Sequence, residues 1–366
     1  MAGRLDGIGR FADETLRIIT TQYPEHQFLF YFDRKPDTCF LYNSNVKAVV
    51  APPQARHPLL FLAWFEASLP LHFLRTKPDI FLSMDGFLSL TTHVNSVGVI
   101  HDLNFEHFPE DIPYLVRKYY KAMFPRFAQK ATRIATVSEF SKSDIIEKYN
   151  VDASKIDVVC NGASSIFKPL EESVRQQTRE KFSMGNEYFF FVGTLHPRKN
   201  LVNLFKAFDL FKKSDSKGIK LVLAGARMWW TDEIRLAYEG MEYCEDVIFT
   251  GRVSDRDLAS LMASALALTY VSYFEGFGIP ILEAFQCDTP VITSNITSMP
   301  EVAGNAAILI DPFSITSLAD AMQKIASDAV FRKNLIIAGS EQRNKFSWEQ
   351  TAGRLWECVE KAMETQ

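Results

Sequence analysis

Two adjacent cations lie close to an apolar run in the second half of the sequence. Arg198 and Lys199 follow the run Tyr188–Val192 and the glycine Gly193, in the segment Gly-Thr-Leu-His-Pro-Arg-Lys-Asn. The glycine permits a tight turn, and two neighbouring positive charges could offset the charge of a diphosphate and stabilise it as it leaves. An ordinary solvated basic turn would have the same composition, so this pair alone leaves both interpretations open.

Two carboxylates form the second candidate feature. Glu275 lies in the segment Phe-Glu-Gly-Phe-Gly-Ile-Pro, and Glu283 follows eight residues later. The glycines allow the backbone to approach a ligand, and Pro280 suits the first turn of a helix, where unpaired N–H groups favour an anion. The two acids could hold two hydroxyl-bearing groups, such as a sugar and a ribose. A helix with one acid on its wet face is the alternative, but the apolar neighbours of Glu283 favour binding.

Four single residues follow other apolar runs or open a helix. Gly225 and Arg252 lie at the ends of two runs and could bracket a base, or they could belong to plain strand exits. His101 follows the run 97–100 and could bind a sugar hydroxyl, although a lone His-Asp pair is usually structural. Gly9, in Gly-Ile-Gly-Arg, is a phosphate-loop candidate, but a G-x-G pattern alone is weak.

The elements that position these residues alternate along the chain between short apolar runs and amphipathic stretches. The predicted strands are 28–32, 46–50, 80–83, 97–100, 134–137, 157–159, 188–192, 221–224, 247–250, 267–271, 291–293 and 307–310. Helical periodicity lies between them, for example over 11–23, 114–130 and 201–213. The alternation predicts an α/β fold with two doubly wound domains, one over 1–170 and the other over 171–347. Ligand crevices form at the carboxyl ends of such sheets, and the two crevices are expected to face each other.

Bulk composition excludes several classes of protein. A net charge of -4 and a pI near 6.0 argue against a nucleic-acid-binding protein. The five cysteines are far apart and form no C-x-x-C pair, which argues against a disulfide framework and a zinc site.

The acids of Asp255-Arg256-Asp257 resemble a metal motif, but Ser254 before them is a good helix cap, so we expect no metal there. No apolar run reaches the roughly 18 residues of a membrane span, so we expect a cytoplasmic protein, or one peripheral on the inner membrane face.

The stretch 112–133 is basic and aromatic and contains no acid. Its positive residues are Arg117, Lys118, Lys121, Arg126, Lys130 and Arg133. Such a helix could rest on anionic headgroups or on a lipid-linked diphosphate acceptor. It could also be an ordinary packed helix with a positive outer face.

Taken in order, the motifs of this chain resemble those of the family 4 glycosyltransferases of the GT-B fold, in which two Rossmann-like domains face each other across a cleft. The matching segments are 7–10, 101–103, 137–141, 161–162, 167–169, 192–200, 253–258, 275–283, 300–304, 311–312 and 346–348. The E-x7-E element and G-T-L-x-P-R-K-N are the specific ones. By this resemblance the helix 348–366 packs back on the N-terminal domain. The family begins with an apolar strand before the glycine segment, whereas Met1–Asp6 is short and polar, so a first strand is expected to be missing.

The resemblance implies a retaining hexosyl transfer that requires no metal and no other cofactor. The residues it assigns to the donor diphosphate, sugar and ribose are Gly9, His101, Gly193, Arg198, Lys199, Glu275, Gly276, Phe277, Gly278 and Glu283. The form G-T-L-x-P-R-K-N is frequent among mannosyltransferases, which suggests GDP-mannose as the donor, with UDP-sugars left open. The acceptor is expected to be a glycan or lipid-linked, in polysaccharide biosynthesis. The alternatives are a sugar-nucleotide epimerase of the same fold and a non-catalytic nucleotide-sugar-binding partner protein.

Overall fold

The structure, a computed structural model, describes residues 7–55 and 57–365. The strands are β1 Phe28–Phe32, β2 Val46–Val50, β3 Phe81–Ser83, β4 Ser96–Val99, β5 Arg133–Thr136, β6 Ile156–Val158, β7 Tyr188–Val192, β8 Lys220–Ala224, β9 Val247–Gly251, β10 Ala267–Tyr270, β11 Val291–Ser294 and β12 Ala307–Ile310. The helices are α1 Gly7–Gln22, α2 Pro58–Ala63, α3 Leu69–Thr76, α4 Asn104–His107, α5 Tyr114–Lys130, α6 Glu139–Tyr149, α7 Glu172–Ser183, α8 Leu201–Lys212, α9 Asp232–Glu239, α10 Asp255–Ser264, α11 Ile279–Gln286, α12 Met299–Ala303, α13 Ile315–Ser327, α14 Ala329–Gln342 and α15 Trp348–Glu364. The predicted α/β class is confirmed, since each predicted strand has an observed counterpart.

The chain divides into two compact units, one of 1–161 with 348–366 and one of 162–347. The second unit contains a six-stranded sheet in the order β12-β11-β10-β7-β8-β9, with all neighbours parallel. Its central strand β7 contains three consecutive phenylalanines, 189 to 191, that are fully buried. A parallel strand covered by helices on both faces requires such a continuous apolar run. The apolar run therefore places β7 in the middle of this domain.

The first unit contains two separate parallel sheets, β1-β2 and β3-β4-β5-β6. The edge strands β1 and β3 both line a cavity of about 600 Å³. The prediction that a first strand is missing concerns Met1–Asp6, which lie outside the described residues.

Helix α15 lies in the first unit, although it follows the second along the chain. Trp356 stacks on Tyr23 of α1 with ring centroids 4.3 Å apart, and Thr351 donates a hydrogen bond of 2.5 Å to the Cys160 carbonyl. Lys361 forms an ion pair of 2.7 Å with Asp157 on β6. The chain thus crosses between the units twice.

Within the ranges that the structure describes, no helix combines the length and the apolar composition needed to cross a bilayer.

Candidate active site

The loops that follow β7 and β10 lie next to each other, because these two parallel strands are neighbours in the six-stranded sheet. The first loop contains Arg198 and Lys199, and the second contains Glu275. Carboxyl ends of parallel strands meet at one edge of a sheet, which is where α/β proteins bind ligands. The topology therefore brings Glu275 to Arg198 and Lys199, which precede it by 77 and 76 positions in the sequence.

Glu275 joins both cations in one cluster. Lys199 Nζ lies 2.6 Å from Glu275 Oε1, and Arg198 Nη1 lies 2.8 Å from Oε2. Arg198 also donates to the Phe274 carbonyl at 2.7 Å, and Lys199 donates to the Tyr270 hydroxyl at 2.9 Å. Only 9% of Lys199 and 7% of Glu275 is exposed. A solvated basic turn would not be buried in this way, so that interpretation of the pair is wrong.

Burial and the neighbouring charges determine the protonation states of Glu275 and Tyr270. Burial by itself raises the pKa of the Glu275 carboxyl, but Arg198 and Lys199 outweigh it and lower that pKa to about 2. Burial, and then the Glu275 charge, raise the pKa of the Tyr270 hydroxyl well above its ordinary value. At neutral pH the site therefore holds a carboxylate, two cations and a protonated phenol.

The loop after β7 is held by its own side chains. His196 Nδ1 accepts a hydrogen bond of 3.1 Å from the Arg198 N–H and caps a 3₁₀ turn at Pro197–Lys199. Asn200 has a left-handed backbone, with φ of 61°, and its amide donates to the carbonyls of Val271 at 3.0 Å and Pro312 at 2.8 Å. Burial, and then the two neighbouring cations, lower the pKa of His196 to about 4, so its ring is a neutral acceptor.

The second loop leads into α11 through Gly278, whose φ is +109°. Ser298 donates to the carbonyls of Glu275 and Phe277, at 2.8 and 3.0 Å, and so fixes the loop. The Phe277 ring packs on Phe346, with centroids 5.7 Å apart, and the residue is only 3% exposed, so its side chain belongs to the core. Glu283 lies within α11 and is only 6% exposed, so the proposal of an acid on the wet face is wrong. Its charge contributes to the raised pKa of Tyr270, so it lies near the same cluster.

Two predicted glycines lie at neighbouring strand exits. A Cβ on Gly225 would lie 1.8 Å from the Gly193 carbonyl oxygen, and the Gly225 N–H donates to Gly251 at 2.9 Å. The exits of β7, β8 and β9 therefore touch, and the close approach requires glycine at 225. Arg252, the next residue after Gly251, is exposed.

The other two candidates, His101 and Gly9, belong to the first unit. His101 Nε2 lies 2.9 Å from the Met84 carbonyl, and its ring meets that of Phe11 edge-on at 4.9 Å. Gly9 lies in the first turn of α1, two residues before Phe11. The first half of α1 is thus adjacent to the loop that follows β4.

Asp257, the second acid of the Asp-Arg-Asp segment, has structural partners. Ser254 caps α10 by accepting a hydrogen bond of 3.1 Å from the Asp257 N–H, as predicted. Lys181 forms an ion pair of 2.7 Å with Asp257. Across the described residues, no group of three or more His, Cys, Asp or Glu could hold a metal ion.

Sequence reasoning missed Tyr270 and assigned no role to His196, Asn200 or Ser298. Tyr270 is the last residue of β10, so the rule that ligands bind at the carboxyl ends of strands could have found it. The clamps made by Asn200 and Ser298 depend on backbone carbonyls far away in sequence, and no local pattern indicates them.

Two family models match the sequence of this chain. The sequence model described as Glycosyltransferase Family 4 matches residues 7–165, and the one described as Glycosyl transferases group 1 matches 174–342. The O-antigen chain mannosyltransferase B of Escherichia coli is 32% identical over 69% of this chain and 67% of its own length. The O-antigen chain mannosyltransferase RfbU of Salmonella typhimurium is 30% identical over 67% of this chain and 65% of its own length. The chain thus spans about two thirds of either relative.

Among solved structures, that of Anabaena Alr3699/HepE in complex with UDP-glucose superposes with a TM-score of 0.74. The match covers 98% of this chain and 97% of that one, at 18% identity. The chain belongs to the family 4 glycosyltransferases, and its two Rossmann-like domains have the GT-B fold.

Proposed function

We propose that this chain transfers a hexose, with mannose as the first candidate, from a nucleoside diphosphate sugar to a glycan or lipid-linked acceptor in polysaccharide biosynthesis. The observation that carries the proposal is the buried cluster of Arg198, Lys199 and Glu275 at the carboxyl end of a parallel sheet. Two mannosyltransferases of O-antigen chains among its relatives support mannose and a surface polysaccharide.

In this proposal Arg198 and Lys199 bind the donor diphosphate. Both are held by Glu275, so little side-chain entropy remains to be lost when the anion arrives. Charge-assisted hydrogen bonds in a buried site are strong, and they strengthen further as negative charge develops on the leaving group. The two cations would also supply the positive charge that a metal ion provides elsewhere, and we therefore propose a reaction without a metal.

The carboxylates have binding roles in this scheme. Because the pKa of Glu275 is lowered to about 2, it is ionised at neutral pH and cannot act as a proton donor. Its oxygens would accept hydrogen bonds from sugar hydroxyls, with help from the backbone N–H groups at 276–278, and Glu283 would hold the ribose. Gly225 and Arg252, at the neighbouring strand exits, would bracket the base. Gly9 and His101 keep the roles that the family resemblance gives them, at the diphosphate and at the sugar.

We propose that transfer retains the anomeric configuration. The bond between the anomeric carbon and the diphosphate oxygen breaks, and the acceptor oxygen bonds to that carbon on the same face. The acceptor proton passes to the leaving phosphate oxygen, so that charge and atoms balance without a covalent enzyme intermediate. The support for this route is that Glu275 is already engaged by both cations.

A peripheral membrane contact through 112–133 is a further part of the proposal. Lys118, Lys121 and Lys130 of α5 are exposed, whereas Phe124 and Phe127 are buried in the core of the first unit. The contact would therefore be electrostatic. Changing Lys118 and Lys121 to Glu should release the protein from anionic vesicles; absence of binding by the unchanged protein would end this part of the proposal. The cytoplasmic location stays a prediction.

A thermal-shift screen with GDP-mannose, other GDP-sugars and UDP-, ADP- and TDP-sugars tests the donor, because a ligand that binds the folded state raises the melting temperature. Donor hydrolysis without acceptor, lost in Glu275→Ala, would separate an enzyme from a binding protein. If no sugar nucleotide raises the melting temperature, the proposal fails. If one binds but is neither hydrolysed nor transferred, the non-catalytic alternative is favoured, and interconversion of the free donor would favour the epimerase.

A further inference from the structure

An almost continuous helical segment over 58–76 lies on the first unit. It consists of α2, a π-helical turn at Trp64–Ser68, and α3. One side of the segment faces the protein core, where Phe65, Leu69 and Phe73 are buried. The Trp64 indole N–H donates to the Ala51 carbonyl at 2.5 Å. These contacts fix which side of the segment faces outward.

The outward side of this segment is apolar. Nine of its described side chains are exposed, and seven of these are leucine or alanine; the other two are Arg75 and Thr76. We call these seven the leucine face: Leu59, Leu60, Leu62, Ala63, Ala67, Leu71 and Leu74. The exposed fractions reach 71% at Leu59, 60% at Leu71 and 73% at Leu74.

A helix on the surface of a globular protein normally has charged or polar residues on its outer side. Here both sides are apolar, and the segment is about 28 Å long at the usual rise per residue. A contiguous apolar surface of this extent marks a site of contact with another molecule or with a membrane. The leucine face is therefore an interaction surface.

The charges around the leucine face are mainly positive. Arg75 and Lys77 are exposed at its carboxyl end, although Asp79 follows them. The acid within the segment 58–76, Glu66, points toward the protein. It accepts hydrogen bonds from the backbone N–H groups of Leu90 at 3.0 Å and Thr91 at 3.1 Å.

Helix α5 adds further cations next to α2. Phe61 of α2 stacks on Tyr119 of α5, with centroids 6.2 Å apart. Lys118 and Lys121 are exposed on α5, and the Lys118 ammonium lies 4.7 Å from the centre of the Tyr114 ring. Tyr114 is itself 55% exposed. An aromatic ring beside a cation is typical of residues at a membrane interface.

We propose that the leucine face inserts into the interfacial region of a bilayer that contains anionic lipids, with the segment 58–76 parallel to the membrane plane. Leucines would enter the acyl boundary, while Arg75, Lys77 and the cations of α5 would meet the headgroups. A second copy of the chain fits less well, because a two-fold contact through this face would bring like charges together. The proposal goes beyond the electrostatic contact of 112–133 by adding an inserted apolar surface on another helix.

Vesicle flotation tests this proposal with the full chain. The protein should float with vesicles of phosphatidylcholine and phosphatidylglycerol, and less with phosphatidylcholine alone. The variant with Leu59→Ser, Leu71→Ser and Leu74→Ser should partition at least about tenfold more weakly, since burying one leucine side chain is worth about that factor or more. Its melting temperature should stay unchanged, because these side chains are exposed.

The matched control changes two apolar residues of the second unit, Leu236→Ser and Val330→Ser, which are 60% and 72% exposed. This control should float like the unchanged protein. Equal flotation of the leucine-face variant and the control would overturn the proposal, as would no flotation of the unchanged protein. Self-association without lipid that the leucine-face variant loses would assign the face to a second copy and would also overturn it.

Donor binding is a separate readout. The melting shift with GDP-mannose, measured without vesicles, should be the same in the leucine-face variant and in the unchanged protein. Flotation without any donor shift would leave the membrane surface standing while the proposed donor fails. A donor shift without flotation would support the proposed donor and overturn the membrane surface.

Discussion

At the scale of single residues, the site depends on one carboxylate that neutralises part of two positive charges. Glu275 holds Arg198 and Lys199 in place through two ion pairs. Removing one member of a buried ion cluster leaves the others poorly compensated, which costs more than the pair contributed. Substitutions here should therefore affect both binding and stability, and each experiment needs a readout for both.

Replacing Lys199 with Ala should weaken binding of the nucleoside diphosphate by about 1–3 kcal/mol, because a charge-assisted contact is lost. Isothermal titration calorimetry with GDP would measure it. Lys206→Ala is the control, since Lys206 is exposed on α8 in the same domain. Unchanged affinity of the Lys199 variant would contradict its assignment to the diphosphate.

His196 should make the protein sensitive to acid. Its pKa is lowered from 6.5 to about 4, so between these values the unfolded chain binds a proton that the folded chain does not. Stability therefore falls as the pH falls through this window. His196→Asn retains a side-chain acceptor at the cap and should reduce that loss by about 1–3 kcal/mol, measured by urea unfolding at neutral pH and at the acid end. An identical pH dependence in both proteins would refute this role.

At the scale of elements, the strand exits of the second domain determine the geometry of the site. The exits of β7, β8 and β9 touch. Asn200 clamps the loop after β7 to the loop after β10, and Ser298, which follows β11, holds the loop after β10. Such clamps act over long sequence separations. They hold the charged side chains in position before a ligand binds.

Gly225→Ala tests the contact between strand exits. The added methyl group would lie 1.8 Å from the Gly193 carbonyl oxygen, so the backbone of one loop must move. We expect a loss of about 3 kcal/mol or more in stability, together with weaker donor binding. Gly353→Ala in α15 is the control, because a Cβ there meets nothing within 4 Å. It should be neutral or stabilise the protein by up to about 1 kcal/mol in thermal unfolding. Equal effects of the two substitutions would contradict the packing described.

At the scale of the whole molecule, the two domains have separate hydrophobic cores, although the chain crosses between them twice. The return of α15 to the first domain means that this helix stabilises a domain formed mainly by residues far earlier in the sequence. Damage to one core should therefore leave the other domain folded and able to bind the parts of a ligand that its own residues contact.

Trp356→Ala tests this independence. The side chain is 5% exposed and stacks on Tyr23, so its loss should destabilise the first domain by about 3–5 kcal/mol. Calorimetry should show one transition lowered and a second one still raised by the donor. Loss of donor binding at a temperature where the second domain is folded would show that the domains are not independent.

Much of the fold follows from the sequence alone. Parallel strands buried on both faces need unbroken apolar runs, and such runs are local, so all twelve strands were predictable. Helix α10 was predictable for the same reason, since Ser254 caps it through a contact only three residues away. The residue types at the site were also predictable, because they follow the strand ends.

Tertiary structure decided which of those residues meet. The pairing of β7 with β10 brings Lys199 to Glu275 and Tyr270, and the two cations beside Glu275 keep that buried carboxyl ionised. The outward direction of the leucine face likewise depends on what covers the other side of 58–76. Strand order and burial arise from contacts between distant segments. Local sequence patterns identify the residue types at the site, but they do not show which of these residues lie close together in space.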